Sequence, residues 1–118
     1  MRAAVALLHD HVPLPWTSRD HAELARLGAL LARGGIACDV LDGASDEGHP
    51  WCAFGPAGSA DVFAHFARID GRYVVDWPGS PGAVLVEDLC AAVDRFLAAA
   101  FPGGHGRARF LRPTEAED

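Results

Sequence analysis

The sequence contains no lysine, no asparagine and no glutamine, and only one methionine and one tyrosine. Its 10 basic side chains are therefore all arginine, set against 16 carboxylates for a formal net charge of −6. The accompanying bias toward Ala, Gly, Arg, Pro and Asp is that of GC-rich coding, so individual Arg and Ala choices carry little information. The acidic excess favours solubility and argues against nonspecific nucleic-acid binding, so nucleic acid is not an expected partner. No apolar run approaches the roughly 20 residues that cross a bilayer, so no membrane span is expected. The apolar run Ala3–Leu8 is shorter than a secretory h-region and leads into His9-Asp10-His11, so a cytoplasmic protein is expected. The three cysteines, Cys38, Cys52 and Cys90, form no Cys-x-x-Cys and are odd in number. In that compartment they are read as reduced, packed thiols.

What is present describes a small folded domain. Half of the 118 residues are hydrophobic. That is too apolar for disorder, and the length suits one domain able to bury about two-thirds of its unfolded surface without a disulfide or metal. The chain divides into an N-terminal segment over 1–16, a single α+β domain over 17–102, and a tail over 103–118 expected to be disordered. That tail carries Arg107, Arg109 and Arg112, then Glu115, Glu117 and Asp118.

Local patterns give the elements. Thr17 reads as an N-cap with Asp20 three residues on, a variant of the capping box. Ala22, Leu24, Leu27, Leu30 and Leu31 form one apolar stripe, and Gly34-Gly35 is a stop, so a helix is predicted over 18–33. Alternation predicts a strand over 36–41, a polar loop over 42–49, and a second strand over 51–54. A third strand is predicted over 60–69, the Asp70-Gly71 pair is a two-residue hairpin turn, and a fourth strand covers 72–77. Val86, Leu89, Cys90, Val93, Phe96, Leu97 and Ala100 have helical spacing, which predicts a second helix over 84–100. The expected architecture is a helix, a four-stranded antiparallel meander and a helix, in two layers with both helices on one sheet face.

Two motifs carry a resemblance. Asp46-Glu47-Gly48-His49-Pro50-Trp51 leads through Phe54, and later runs His65-Phe66-Ala67-Arg68-Ile69-Asp70-Gly71-Arg72-Tyr73-Val74-Val75. Together they resemble an uncharacterised family of alphaproteobacterial domains with D-E-G-x-P-W, a short apolar strand, and H-F-A-R-I-D-G-x-Y/F-V, flanked by helices. The resemblance spans residues 18–101 and departs from the pattern at Cys52 and Ala53. It implies a fold and a bacterial origin, and no established activity or catalytic residue.

His65, mid-strand among apolar neighbours, has the chemistry of a general base or a ligand, but a histidine satisfied within the fold explains it more simply. Asp46 and Glu47 beside Trp51 are a candidate cation or basic-peptide site, but no EF-hand spacing surrounds them, and a solvated turn with Gly48 at positive φ explains them more simply. A helix followed by three strands also resembles the start of a nuclease core with paired carboxylates, where Asp46 or Glu47, Asp61 and His65 would stand around a divalent ion. The fit fails at Phe63, two residues after Asp61, and at the missing lysine. His9-x-His11 with His21 is a single chelating pair where structural zinc uses two, so neither a metal site nor a cofactor is assigned. Cys38 and Cys52 flank the 42–49 loop symmetrically and are expected to be cross-strand neighbours. No Gly-x-Ser-x-Gly elbow is present, and Gly55–Ser59 is a hairpin connection.

The leading expectation is accordingly a small non-catalytic protein-interaction or regulatory module acting through a protein partner or a homodimer. The alternative is a degenerate nuclease-like or metal-assisted hydrolase using Asp46, Glu47, Asp61 and His65. Trp51 is placed in the core before it is placed on a ligand. With Phe63, Arg68, Tyr73 and Trp77 it completes the candidate binding residues, and Phe63, His65, Tyr73 and Trp77 are the candidates for an exposed second sheet face.

Overall fold

A computed structural model describes residues 13–101. The run Ala3–Leu8, the His9/His11 pair and the 103–118 tail lie outside the described residues. The elements are α1 (Ser18–Arg33), β1 (Cys38–Ala44), β2 (Pro50–Pro56), β3 (Ala64–Ile69), β4 (Arg72–Asp76), β5 (Val84–Val86) and α2 (Leu89–Ala100). The strands form one antiparallel sheet in the order β1-β2-β3-β4-β5, a meander whose neighbours in sequence are neighbours in space. The α+β class and the packing of helices on the sheet follow the sequence; the sheet has five strands rather than four.

Helix α1 starts where its cap requires. Thr17 Oγ1 accepts from the Asp20 N–H (3.0 Å), and the Asp20 carboxylate accepts from the Thr17 N–H (2.9 Å). These reciprocal bonds satisfy donors that the first turn leaves open. At the other end Gly35 takes φ +83, which lets the Ile36 N–H return to the Leu31 carbonyl (2.9 Å). Asp70 (φ +53) and Gly71 (φ +78) form the β3–β4 turn, both central residues at positive φ as a type I′ hairpin demands.

The fifth strand corrects the predicted helix over 84–100. Val84, Leu85 and Val86 pair with Val75, Val74 and Tyr73 of β4. Helix α2 cannot begin before its cap, Asp88, whose side chain accepts from the Ala91 N–H (2.8 Å) while its own backbone stays extended. Elsewhere β1 runs on through Asp42-Gly43-Ala44, residues predicted as loop. Strand β3 begins at Ala64 rather than 60, because the segment before it folds back so that the Phe63 N–H bonds the Phe54 carbonyl (2.8 Å).

Both helices lie on one face. Cys52, Phe54, Phe66 and Val75 point toward Leu27 and Leu31 of α1 and Val93 and Phe96 of α2. Phe66 meets Phe54 and Phe96 edge-on, with ring centroids 6.0 and 6.4 Å apart, within the range where such pairs are attractive. Arg26 of α1 ties the two helices at the surface through Asp94 (3.0 Å).

Candidate functional site

Strand pairing decides which side chains share the other face. Register aligns Leu41, Ala53, His65 and Asp76 in one row across β1 to β4. The next row is Gly43, Trp51, Ala67, Val74 and Leu85. Side chains alternate along a strand, so these rows stand opposite the layer that holds Cys52, Phe54, Phe66 and Val75 against the helices. The pairs Asp39–Gly55 at one margin and Ile69–Arg72 at the other complete the face. Leu41 is 62% exposed, Leu85 57% and Ile69 40%.

At the centre Trp51 stacks on His65, with ring centroids 6.1 Å apart and planes inclined at 25°. Gly43 makes room for this. A Cβ at that position would stand 2.9 Å from Trp51 Cζ2, so the indole lies flat over the β1 backbone. The two motifs singled out in the sequence thus meet here, one supplying Trp51 and the other His65. His65 Nδ1 is 3.9 Å from Asp76 Oδ1, with both side chains about 40% exposed. That distance is too long for a hydrogen bond, and water screens the attraction.

The structure redistributes the candidate residues. Trp51, expected in the core, is half-buried on the open face. Phe63 and Tyr73, expected on that face, are buried on the helix side, and Trp77 packs against the same core. Phe63 stacks on Phe96 at 6.1 Å. Arg68 also lies on the helix side, where its guanidinium sits 5.3 Å from the Tyr73 ring centroid and Nη1 donates to the Pro15 carbonyl (2.5 Å). It straps the segment before α1 to the sheet.

The carboxylates proposed to surround a metal are not brought together. Asp46 and Glu47 lie in the β1–β2 turn, Asp61 in the β2–β3 loop at the opposite end of those strands, and His65 on the open face. Among the described residues no group of three His, Cys, Asp or Glu side chains is placed to hold a metal ion. Gly48 takes φ +93, the turn geometry expected of it. Cys38 and Cys52 share a face but are not cross-strand neighbours: Cys38 opposes Pro56 and Cys52 opposes Asp42. Burial, reinforced by the Asp42 carboxylate, pushes the Cys52 thiol up to about 11.

Sequence reasoning missed one buried polar centre. Asp20 is only 4% exposed, and its Oδ2 accepts from both the Thr17 N–H and the Tyr73 hydroxyl (3.0 Å). Burial raises the Tyr73 phenol above its ordinary value of 10, and the bond to Asp20 and that carboxylate's charge raise it further. A helix cap, a strand side chain and the Arg68 guanidinium are thereby joined at one end of the sheet. The Tyr73–Asp20 bond is buried and ties β4 to the cap of α1, which makes it a brace.

Comparison of the chain with protein-family models, with curated proteins and with solved structures finds no match in any of the three. Among the described residues, no helix is long and apolar enough to cross a membrane.

Proposed function

We propose that this chain is a non-catalytic protein-interaction module whose open sheet face seats a second copy of itself. The observation that carries this reading is the one-sided fold. Two helices cover one face of a five-stranded sheet, while the other presents Leu41, Trp51, Val74, Ile69 and Leu85 with no covering layer among the described residues. A contiguous apolar face of this kind marks an interaction surface more often than scattered exposed leucines do. On this face Arg72 and Asp76 are opposite in sign, and the Asp39 carboxylate at its β1 margin accepts from the Gly58 N–H (2.8 Å). A two-fold contact that sets Arg72 against a carboxylate of the other copy offsets part of the repulsion between two chains of net charge −6. A two-fold contact also needs only one self-complementary patch.

A dilution series followed by methyl NMR tests this directly. The Leu41, Val74 and Leu85 methyl resonances should move with concentration up to about 1 mM, where an association of about −4 kcal/mol is half complete. Resonances of the helix-side core, such as Val93, should not move. Open-face methyls that stay fixed across the series refute the self-association.

A further inference from the structure

The open edge of β1 is a second surface, separate from the face just described. Two bonds fix the phase of the β1–β2 ladder: the Ala57 N–H donates to the Ala37 carbonyl (3.0 Å) and the Ser45 N–H to the His49 carbonyl (2.9 Å). Backbone groups alternate in direction along an antiparallel pair, so Asp39, Leu41 and Gly43 bond toward β2. Cys38, Val40, Asp42 and Ala44 therefore point their N–H and C=O groups away from the sheet, because β1 ends the strand order among the described residues. The opposite edge, β5, is only three residues long, against seven for β1.

The side chains of Cys38 and Val40 stand beside those outward backbone groups, on the helix side. There they line an apolar groove of about 520 Å³ with Gly28 and Ala32 of α1 and Ile36. Helix α1 presents only small residues along this groove, and Val40 remains 53% exposed. A strand added to β1 would thus find main-chain partners at every second residue and a groove for the side chains that alternate inward.

Charge selects the occupant. From Gly34 to Ala67 the sequence has no lysine or arginine, while β1 and its turn carry Asp39, Asp42, Asp46 and Glu47. A second β1 laid against the first would bring these carboxylates together, which disfavours self-pairing at this edge. We infer that the β1 edge binds an extended segment of a partner protein in which apolar side chains alternate with arginine or lysine, adding it to the sheet as a sixth strand. This site is independent of the open face and stands or falls separately from self-association there.

The test uses the full chain and a fluorescent Arg-Val-Arg-Val-Arg-Val peptide, with Glu-Val-Glu-Val-Glu-Val as control. Anisotropy should report saturable binding of the basic peptide alone, weakening as salt rises. Hydrogen exchange should show new protection at the Cys38, Val40, Asp42 and Ala44 amides. Val40→Pro removes one outward N–H without touching a bond to β2 and should weaken binding at least about tenfold. Val40→Arg, which keeps the backbone intact and sets a like charge at the edge, should weaken it comparably. Equal binding of the acidic peptide, binding without protection of those four amides, or no binding overturns the proposal. It is also overturned if the amides are already protected in the free protein and are released by Arg107→Glu with Arg109→Glu, because the chain's own basic run would then be the occupant. Protection that appears only with rising protein concentration would instead make the occupant a second copy. The methyl dilution series reads the open face independently of every one of these outcomes.

Discussion

Replacing Tyr73 by Phe removes a single oxygen, and the structure sets what that removal should do. The hydroxyl donates to an Asp20 carboxylate that is 4% exposed and has the Thr17 N–H as its other partner. A hydrogen bond to a charged group contributes about 1.5–3 kcal/mol, and leaving a buried carboxylate one donor short adds a desolvation penalty. Tyr73→Phe should therefore destabilise the fold by about 2 kcal/mol. At about 4–8 °C per kcal/mol for a domain of this size, the midpoint should fall by about 10 °C. Asp20→Ala should cost more, because it also removes the acceptor for the Thr17 N–H, a cap bond of about 1 kcal/mol. Chemical denaturation of both single variants and the double variant would yield a coupling energy of at least about 1 kcal/mol. A Tyr73→Phe effect below about 0.5 kcal/mol with additive single variants would refute the brace, reducing Asp20 to an ordinary helix cap. The pH dependence provides a second check. The Tyr73 phenol is held above 10 in the fold, so its contribution is complete below 10 and is lost as pH rises through the folded-state value. Tyr73→Phe should flatten that part of the alkaline limb.

Other consequences are equally direct. Gly55→Ala should destabilise by more than about 2 kcal/mol in urea, since the new Cβ would collide with the Asp61 backbone carbonyl, whereas Gly58→Ala meets open space and should cost only about 1 kcal/mol for its φ of +77. Cys52 should resist alkylation at pH 8 until the protein unfolds. Its thiol, near 9 when exposed and about 11 in the fold, should make stability fall as pH rises from 9 through 11, and Cys52→Ala should remove that part of the loss. Asp88→Ala should lower stability by about 1 kcal/mol by uncapping α2, measured by thermal melting, while Leu85→Lys should leave stability within about 0.5 kcal/mol because its side chain faces solvent.

Legibility in the sequence followed how local each signal was. Helix α1 was readable to the residue because its start and stop are both written within a few positions, in Thr17/Asp20 and Gly34-Gly35. The Asp70-Gly71 turn was readable for the same reason, since positive φ at two successive positions selects those residue types. Strand β5 was not. Val86 fits the helical spacing of Leu89, Val93 and Phe96, and only pairing with β4 makes Val84–Val86 a strand. Faces were harder than elements. Alternation separates Trp51 from Cys52 and Tyr73 from Val74, but nothing local says which set meets the helices, which is why the expected sides of Tyr73 and Trp51 differ from the structure. Phe63 differs for another reason: β3 begins only at Ala64, so alternation does not carry back from His65 to it. The second role of Asp20 depends on a hydroxyl 53 positions away, a partner no short-range pattern names. The conspicuous carboxylates Asp46, Glu47 and Asp61 were visible as residues, but the meander sends them to opposite ends of β2.

The claim that the open face is the interface is tested most directly by light scattering on the wild type and on Leu41→Glu with Leu85→Glu, with circular dichroism on the same samples. Self-association through this face predicts a wild-type mass that rises toward twice 12.5 kDa with concentration. The double variant, whose changes are solvent-facing, should remain at the monomer mass with an unchanged spectrum. A wild type that stays monomeric at about 1 mM, or a double variant that associates as the wild type does, would contradict it.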